Sequence, residues 1–396
     1  MRIIIKKPDF QNLFIEFSFL ICAFVGSFFI DAENRPTFVF YMVMLGASMF
    51  FSFLADNVEN NKTCRVFLFI AIIILGYVFA FRAQTGTDDR TYKALFNSIS
   101  GNSFFTFLNS SGIEKGYLVL NYILHYITGG DYNLAQVIIS YITFAIWGIA
   151  IYRCKGFCDY SVMVLFCWAL YYPIIMGAGL VRIFVSIPIV LCGVTFLFEN
   201  KYNKFVICIV IAALFHLSSF IVLLLLLTRI NERYVYKNWL VIIMVIIFLM
   251  PIILIIIARY VIPFLGIRYY HYLNTSGLSL NLSQFDVLPI IILGASYRYK
   301  IDTDNTNRYT IGLILASLSI VFSISSSVVN IGRTIFFGNL GNLLVCSAIC
   351  KTKANKWYEF AVIFVVIAYG FVYMMYAGYL QQINFPNLFP YRSIFN

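Results

Sequence analysis

Long apolar stretches recur along this chain, and they dictate what it can fold into. Residues 13–30, 37–55, 132–152, 181–198, 238–258, 309–329 and 357–378 carry almost no charge. Each is close to the roughly 20 apolar residues a helix needs to cross a bilayer. Hydrophobic residues make up 61% of the 396-residue sequence and charged residues 11%, against roughly 25% charged in an average soluble domain. A soluble fold of this length has no core large enough to hide so much apolar surface, whereas lipid solvates it directly. Strict alternation of apolar and polar residues is absent, which argues against a membrane β-barrel. The sequence therefore predicts an all-α, polytopic helical membrane protein, built as a single domain. The basic start (Arg2, Lys6, Lys7) before the first apolar run reads as a retained signal-anchor helix, because no small-x-small cleavage site follows.

Two segments set the topology. Residues 117–127 are apolar but too short at ~1.5 Å per residue to cross a ~30 Å core, which predicts a short surface helix. Residues 205–227 are long enough, yet basic residues flank both ends (Lys201 and Lys204; Arg229, Arg233 and Lys237) and His216 lies at the centre. With neither segment crossing, 18 of the 28 Lys and Arg residues fall on the side of the N-terminus and 10 on the other. The other three combinations divide them less in that direction, so the positive-inside rule favours this one. The expected architecture is about 11 transmembrane helices, a broken or re-entrant helical hairpin around His216, and a surface helix at 117–127. A non-helical break at membrane depth must be buried among neighbours or line a cavity. Residues 82–131, 259–285 and the tail 379–396 then form the outer face.

The +11 net charge belongs to inner loops on this reading, and no nucleic-acid motif accompanies it. All nine cysteines fall within helices or near the inner side, away from oxidising loops. Cys154/Cys158 and Cys346/Cys350 have i, i+4 spacing without partner ligands, so packing explains them better than metal. No Walker A loop, GxGxxG, HExxH or nucleophile elbow is present.

The outer cations are mostly arginines: 35, 82, 90, 182, 259, 268, 333 and 392, with only Lys93 and Lys115 beside them. Guanidinium pairs bidentately with phosphate, which points to a phosphate-bearing ligand. Arg35 and Arg259 fit snorkelling at the interface. Arg182 and Arg333, set between apolar runs, are functional candidates. Asp88, Tyr92 and Phe96 share a face at i, i+4 and i+8 of a following helix; Asp88 is either a helix cap or a general base. Glu114, before Gly116 and Tyr117, is open to the same two readings. His216, followed by Ser218 and Ser219, is either a hydrogen-bonded core residue or a catalyst. His271, among Tyr269, Tyr270 and Tyr272, suits sugar stacking or an interface belt.

In order along the chain stand Gly86-Thr87-Asp88-x3-Tyr92, Glu114-x-Gly116-Tyr117-x3-Asn121, Arg182-x3-Val185-Ser186-Ile187, Ala213-x-Phe215-His216-x-Ser218, Arg333-x2-Phe336-Phe337 and Pro390-Tyr391-Arg392. This set resembles the EpsG-like family of membrane polysaccharide polymerases, the Wzy-type O-antigen polymerases, from about residue 66 to the end. Ile183 stands where that pattern leads one to expect Gln.

The resemblance implies a glycosyltransferase at the periplasmic face of a bacterial inner membrane. Such an enzyme moves a growing glycan from undecaprenyl pyrophosphate onto the next lipid-linked repeat unit, inverting the anomeric centre and using no metal or cofactor. It implies Arg182, Arg333, Arg392 and Arg82 as pyrophosphate ligands, Asp88, Glu114 or His216 as the base, and Tyr92, Tyr117 and Tyr391 against sugars. A chain-length regulator and a flippase are the implied partners. The competing expectations are an O-antigen ligase, which would carry a larger late periplasmic loop, and a lipid-linked oligosaccharide flippase. The latter would show internal repeats, and none is visible between the halves of the chain.

Overall fold

The computed structural model describes residues 10–83, 88–110, 112–178, 180–229, 232–256, 260, 303–325, 335–352, 356–374, 391 and 393–395. They form helices α1 (Phe10–Ser27), α2 (Arg35–Asn57), α3 (Asn61–Ala80), α4 (Asp89–Asn97), α5 (Phe104–Ser110), α6 (Lys115–Ile127), α7 (Tyr132–Arg153), α8 (Tyr160–Ala178), α9 (Val181–Phe198) and α10 (Tyr202–Phe215). A 3-10 helix, Leu217–Arg229, follows. Next come α11 (Glu232–Lys237), α12 (Trp239–Ile256), α13 (Thr303–Ser325), α14 (Ile335–Thr352) and α15 (Lys356–Tyr373). Among the described residues the only β pairings are isolated bridges, Arg82 with Ser393 and Lys155 with Cys158. The all-α architecture read from the apolar runs holds.

Local chemistry fixes several helix starts. The Asn60 side chain accepts the Lys62 N–H, and Asp131 accepts the N–H groups of Asn133 and Leu134, so α3 and α7 begin on side-chain caps. Helix α8 takes its cap from a neighbour: the Asp56 carboxylate at the end of α2 accepts the N–H groups of Tyr160 and Ser161 at 2.8 and 2.9 Å. That bond ties the α2 and α8 ends together while satisfying donors that would otherwise be orphaned.

Among the described residues, four helices are long and apolar enough to cross a bilayer: Arg35–Asn57, Asn61–Ala80, Tyr132–Arg153 and Val181–Phe198. Shorter apolar helices are Ser18–Ser27, Tyr160–Tyr171, Tyr202–Phe215, Leu217–Arg229, Ile335–Lys351 and Glu359–Val372. Helices α8, α9 and α14 occupy the centre, buried on nearly every side, as helices apolar all round should be. Around them, α2, α3, α10, α12 and α15 leave side chains such as Val43, Phe69, Ile211, Phe248 and Phe364 uncovered, which suits contact with lipid. On α14, a β-carbon at Gly341 would land within the backbone of Ala316 on α13. The small residue lets those two helices touch backbone to backbone.

The bundle has two chemically different ends. At one, Lys351 pairs with Asp159 at 2.6 Å, Arg153 with Glu199 at 2.6 Å, and Lys155 reaches Asn61 at 3.1 Å. At the other lie Arg82, Glu114, Arg182 and Tyr391. Helix α9 runs from Arg182 to the Glu199 end, and α10 returns along it.

Helix α10 stops at His216, whose backbone is extended (φ −153°, ψ 109°). The 3-10 helix then turns back, and the Arg229 guanidinium lies 4.2 Å from the centre of the Tyr202 ring. Both ends of the segment therefore meet, with His216 at the tip. This is the broken hairpin expected from the flanking charges. The short helix at 117–127 is also present, as α6, starting two residues earlier. The face read as Asp88, Tyr92 and Phe96 differs in detail: α4 begins at Asp89, and its buried face is Asp89, Tyr92 and Phe96.

Candidate active site at the hairpin tip

Glu114 precedes α6 in extended backbone (φ −60°, ψ 135°), and its side chain makes no cap bond there. It turns instead toward the bundle. Its Oε2 accepts from Nη1 of Arg182, the second residue of α9. Its Oε1 stands 3.4 Å from Nδ1 of His216. At that length, with no aligned hydrogen bond at the buried Nδ1, the contact is electrostatic rather than a formed bond. All three side chains are largely shielded, exposed by 19%, 16% and 13% for Glu114, Arg182 and His216.

Backbone geometry makes this meeting possible. A β-carbon on Gly116 would sit 2.6 Å from Leu214 Cβ and 2.7 Å from the Leu214 carbonyl oxygen. Only glycine lets the start of α6 rest on the last turn of α10, two residues before His216. Tyr117, next in sequence, is buried and packs edge-on against Tyr92 with ring centres 5.4 Å apart. Asn121 donates to the Tyr117 carbonyl at 2.8 Å. Tyr92 in turn accepts from Nε of Arg182 at 3.2 Å. On the far side, the His216 ring stacks on Phe337 at the start of α14, with centres 6.2 Å apart. Five separate elements thus converge on one constellation.

Burial works to raise the Glu114 pKa, but His216 and the Arg182 charge outweigh it and hold the carboxyl at about 2, below its ordinary 4.5. Glu114 is an ionised counter-ion with both oxygens engaged, which makes it a poor proton acceptor near neutrality. The Tyr117 phenol is pushed up, chiefly by burial and then by Tyr92, so it stays protonated.

A family model described as the EpsG family matches residues 65–393. The chain belongs to the EpsG family. No curated protein and no solved structure matches it. Membership suggests a polysaccharide-polymerase-like role, and the matched region takes in every element of the constellation.

The structure distributes the remaining candidates of this EpsG-family chain unevenly. Asp88 stands at the N-cap position of α4 without a side-chain cap bond, and its carbonyl accepts the Tyr92 N–H at 3.0 Å. Arg82 is 1% exposed, donates to the Phe79 carbonyl at 2.6 Å and lies over the Phe79 ring. Tyr391 lies between Phe40 and Tyr41, donates through its hydroxyl to the Val78 carbonyl at 3.0 Å, and through its N–H to Thr37 Oγ1 at 3.1 Å. Tyr391, with the backbone bridge from Arg82 to Ser393 and the bond from Ile394 N–H to the Phe81 carbonyl (3.0 Å), holds the chain end against the end of α3. Arg333, Arg392 and His271 lie outside the described residues. His125 packs against Phe96 and sits 3.2 Å from Ser100 Oγ, a structural role.

Two participants escaped the sequence reading. Asp89, 4% exposed, accepts from the Tyr132 hydroxyl at 2.9 Å and so pins α4 to α7. Gln136 donates to the Arg82 carbonyl at 2.8 Å. The i, i+3, i+7 spacing of Asp89, Tyr92 and Phe96 was the available signal for the first. Among the described residues no group of three His, Cys, Asp or Glu side chains is placed to hold a metal ion.

Proposed function

We propose that this EpsG-family chain is a polysaccharide polymerase. It takes a growing glycan from undecaprenyl pyrophosphate and transfers it to the next lipid-linked repeat unit at the periplasmic face of the inner membrane. The observation that carries the reading is the shielded Glu114–Arg182–His216 group at the tip of a hairpin. An intramembrane cation of this kind is a functional residue by default, and a guanidinium is suited to a pyrophosphate.

In the proposed reaction, an acceptor hydroxyl oxygen attacks the anomeric carbon of the donor sugar. The bond from that carbon to the pyrophosphate oxygen breaks, and the leaving group departs with the electron pair. Arg182 stabilises the developing charge. The hydroxyl proton passes to Nε2 of His216, the ring nitrogen not directed at Glu114. A single displacement of this kind inverts the anomeric centre, and no step calls for a metal. Glu114 orients both partners, and Tyr92 and Tyr117 back the guanidinium. Asp88 is the alternative base, four residues before Tyr92. Arg333, set between apolar runs in the sequence, is the second proposed pyrophosphate ligand.

Deleting the gene tests the class of reaction. Cells then carry acceptor lipid bearing a single repeat unit. Loss of every repeat unit would instead indicate a flippase or a ligase, and unchanged long polymer would refute the proposal.

A further inference from the structure

Glu114 faces two basic groups with one negative charge. Oε2 is bonded to the Arg182 guanidinium, while Oε1 stands 3.4 Å from Nδ1 of His216. The contacts are unequal: the first is a formed ion pair, and the second leaves a buried ring nitrogen without an aligned hydrogen bond. A phosphate group offers guanidinium more charge and an equally good fork of oxygens than a carboxylate does. An anion that claims Arg182 therefore releases a carboxylate already beside the imidazole.

We propose that Glu114 is a transferable counter-ion, passing from Arg182 to His216 when a pyrophosphate group binds Arg182, so that filling the phosphate subsite makes the neighbouring imidazole more basic. This rests on the reading of Arg182 as the pyrophosphate ligand. The groups facing His216 allow it. Glu114 approaches from α6, with Arg182 of α9 and Tyr92 of α4 behind it. Helix α14 presents the uncharged Phe337 ring, and within the hairpin the Ser219 N–H donates to the His216 carbonyl at 3.0 Å. Glu114 is thus the carboxylate available to the ring among the described residues. The consequence is an order of events: donor occupancy hands the carboxylate to the imidazole just before the acceptor hydroxyl must lose its proton.

The test uses the full chain in lipid nanodiscs with isotope-labelled histidine, the three rings being assigned with H125Q and H271Q variants. His216 is titrated with and without inorganic pyrophosphate, and pyrophosphate binding is measured separately by calorimetry. The expected result is a rise of roughly tenfold in His216 proton affinity on saturation, of the size a newly engaged carboxylate produces. In Glu114→Gln the rise shrinks to the smaller direct effect of the bound anion. An equal rise in wild type and Glu114→Gln, with binding intact, would overturn the transfer alone. Absence of pyrophosphate binding to the wild-type chain would overturn both the transfer and the assignment of Arg182.

Discussion

Gly116 rests on Leu214 so closely that a β-carbon would come within 2.6 Å of the Leu214 side chain and 2.7 Å of its carbonyl oxygen. Gly116→Ala must therefore push α6 away from the hairpin tip, and Glu114 away from His216 with it. Overpacking of this kind costs about 1–3 kcal/mol. Misplacing reacting groups by about an ångström costs on the order of 100-fold in rate. The expected outcome is a folded, membrane-inserted variant whose polymer ladder collapses to short chains, read on a glycan gel beside a thermal unfolding curve. Normal polymer from this variant would mean the contact does not position the site.

The Arg229–Tyr202 contact predicts that the hairpin opens and closes on one side of the membrane. Cysteines placed at Asn200 and Tyr234, both exposed, should react with an impermeant thiol reagent from the same side, that of Lys351. Labelling from opposite sides would require 202–229 to cross.

The depressed Glu114 pKa makes a signed prediction. A carboxyl held at about 2 in the folded chain and near 4.5 otherwise stabilises the fold fully above about pH 4.5. That contribution fades as pH falls from there toward 2. Thermal unfolding of wild type and Glu114→Gln should thus differ most at neutral pH and converge through this window. A gap independent of pH would place the stabilisation elsewhere.

Tyr391 should behave as an anchor. Tyr391→Phe keeps the ring between Phe40 and Tyr41 and loses only the bond to Val78, worth about 0.5–1.5 kcal/mol. Tyr391→Ala loses the ring as well and should cost about 3–5 kcal/mol. Polymer length should survive the first change and fall with stability in the second. If Tyr391→Phe abolished polymer while leaving unfolding unchanged, the hydroxyl would be meeting substrate.

The helical class was legible because lipid imposes a simple constraint: about twenty apolar residues per crossing. The hairpin was legible for a similar reason, since Lys201 and Arg229 at both ends of one apolar run disfavour crossing. What the sequence concealed was tertiary. Nothing in the order of residues separates Glu114 as a counter-ion from Glu114 as a base. The difference lies in Arg182 and His216 arriving from α9 and the hairpin. Asp88 and Asp89 are adjacent and chemically alike, and only the start of α4 decides which is buried. Arg82 and Tyr391 carry the residue types for ligand contact, and their tertiary surroundings, Phe79 for the first and Phe40, Tyr41 and Val78 for the second, were equally hidden in the sequence.

The proposed chemistry turns on Arg182, and Arg182→Lys probes it most directly. Lysine keeps the positive charge opposite Glu114 but lacks the fork that grips two oxygens. Purified chain in lipid, supplied with lipid-linked repeat units, should show unfolding close to wild type and polymer formation reduced about 100- to 1,000-fold, the cost of losing one stabilising donor at a developing charge. Full-length polymer at the wild-type rate from both Arg182→Lys and Arg182→Ala would remove Arg182 from the reaction.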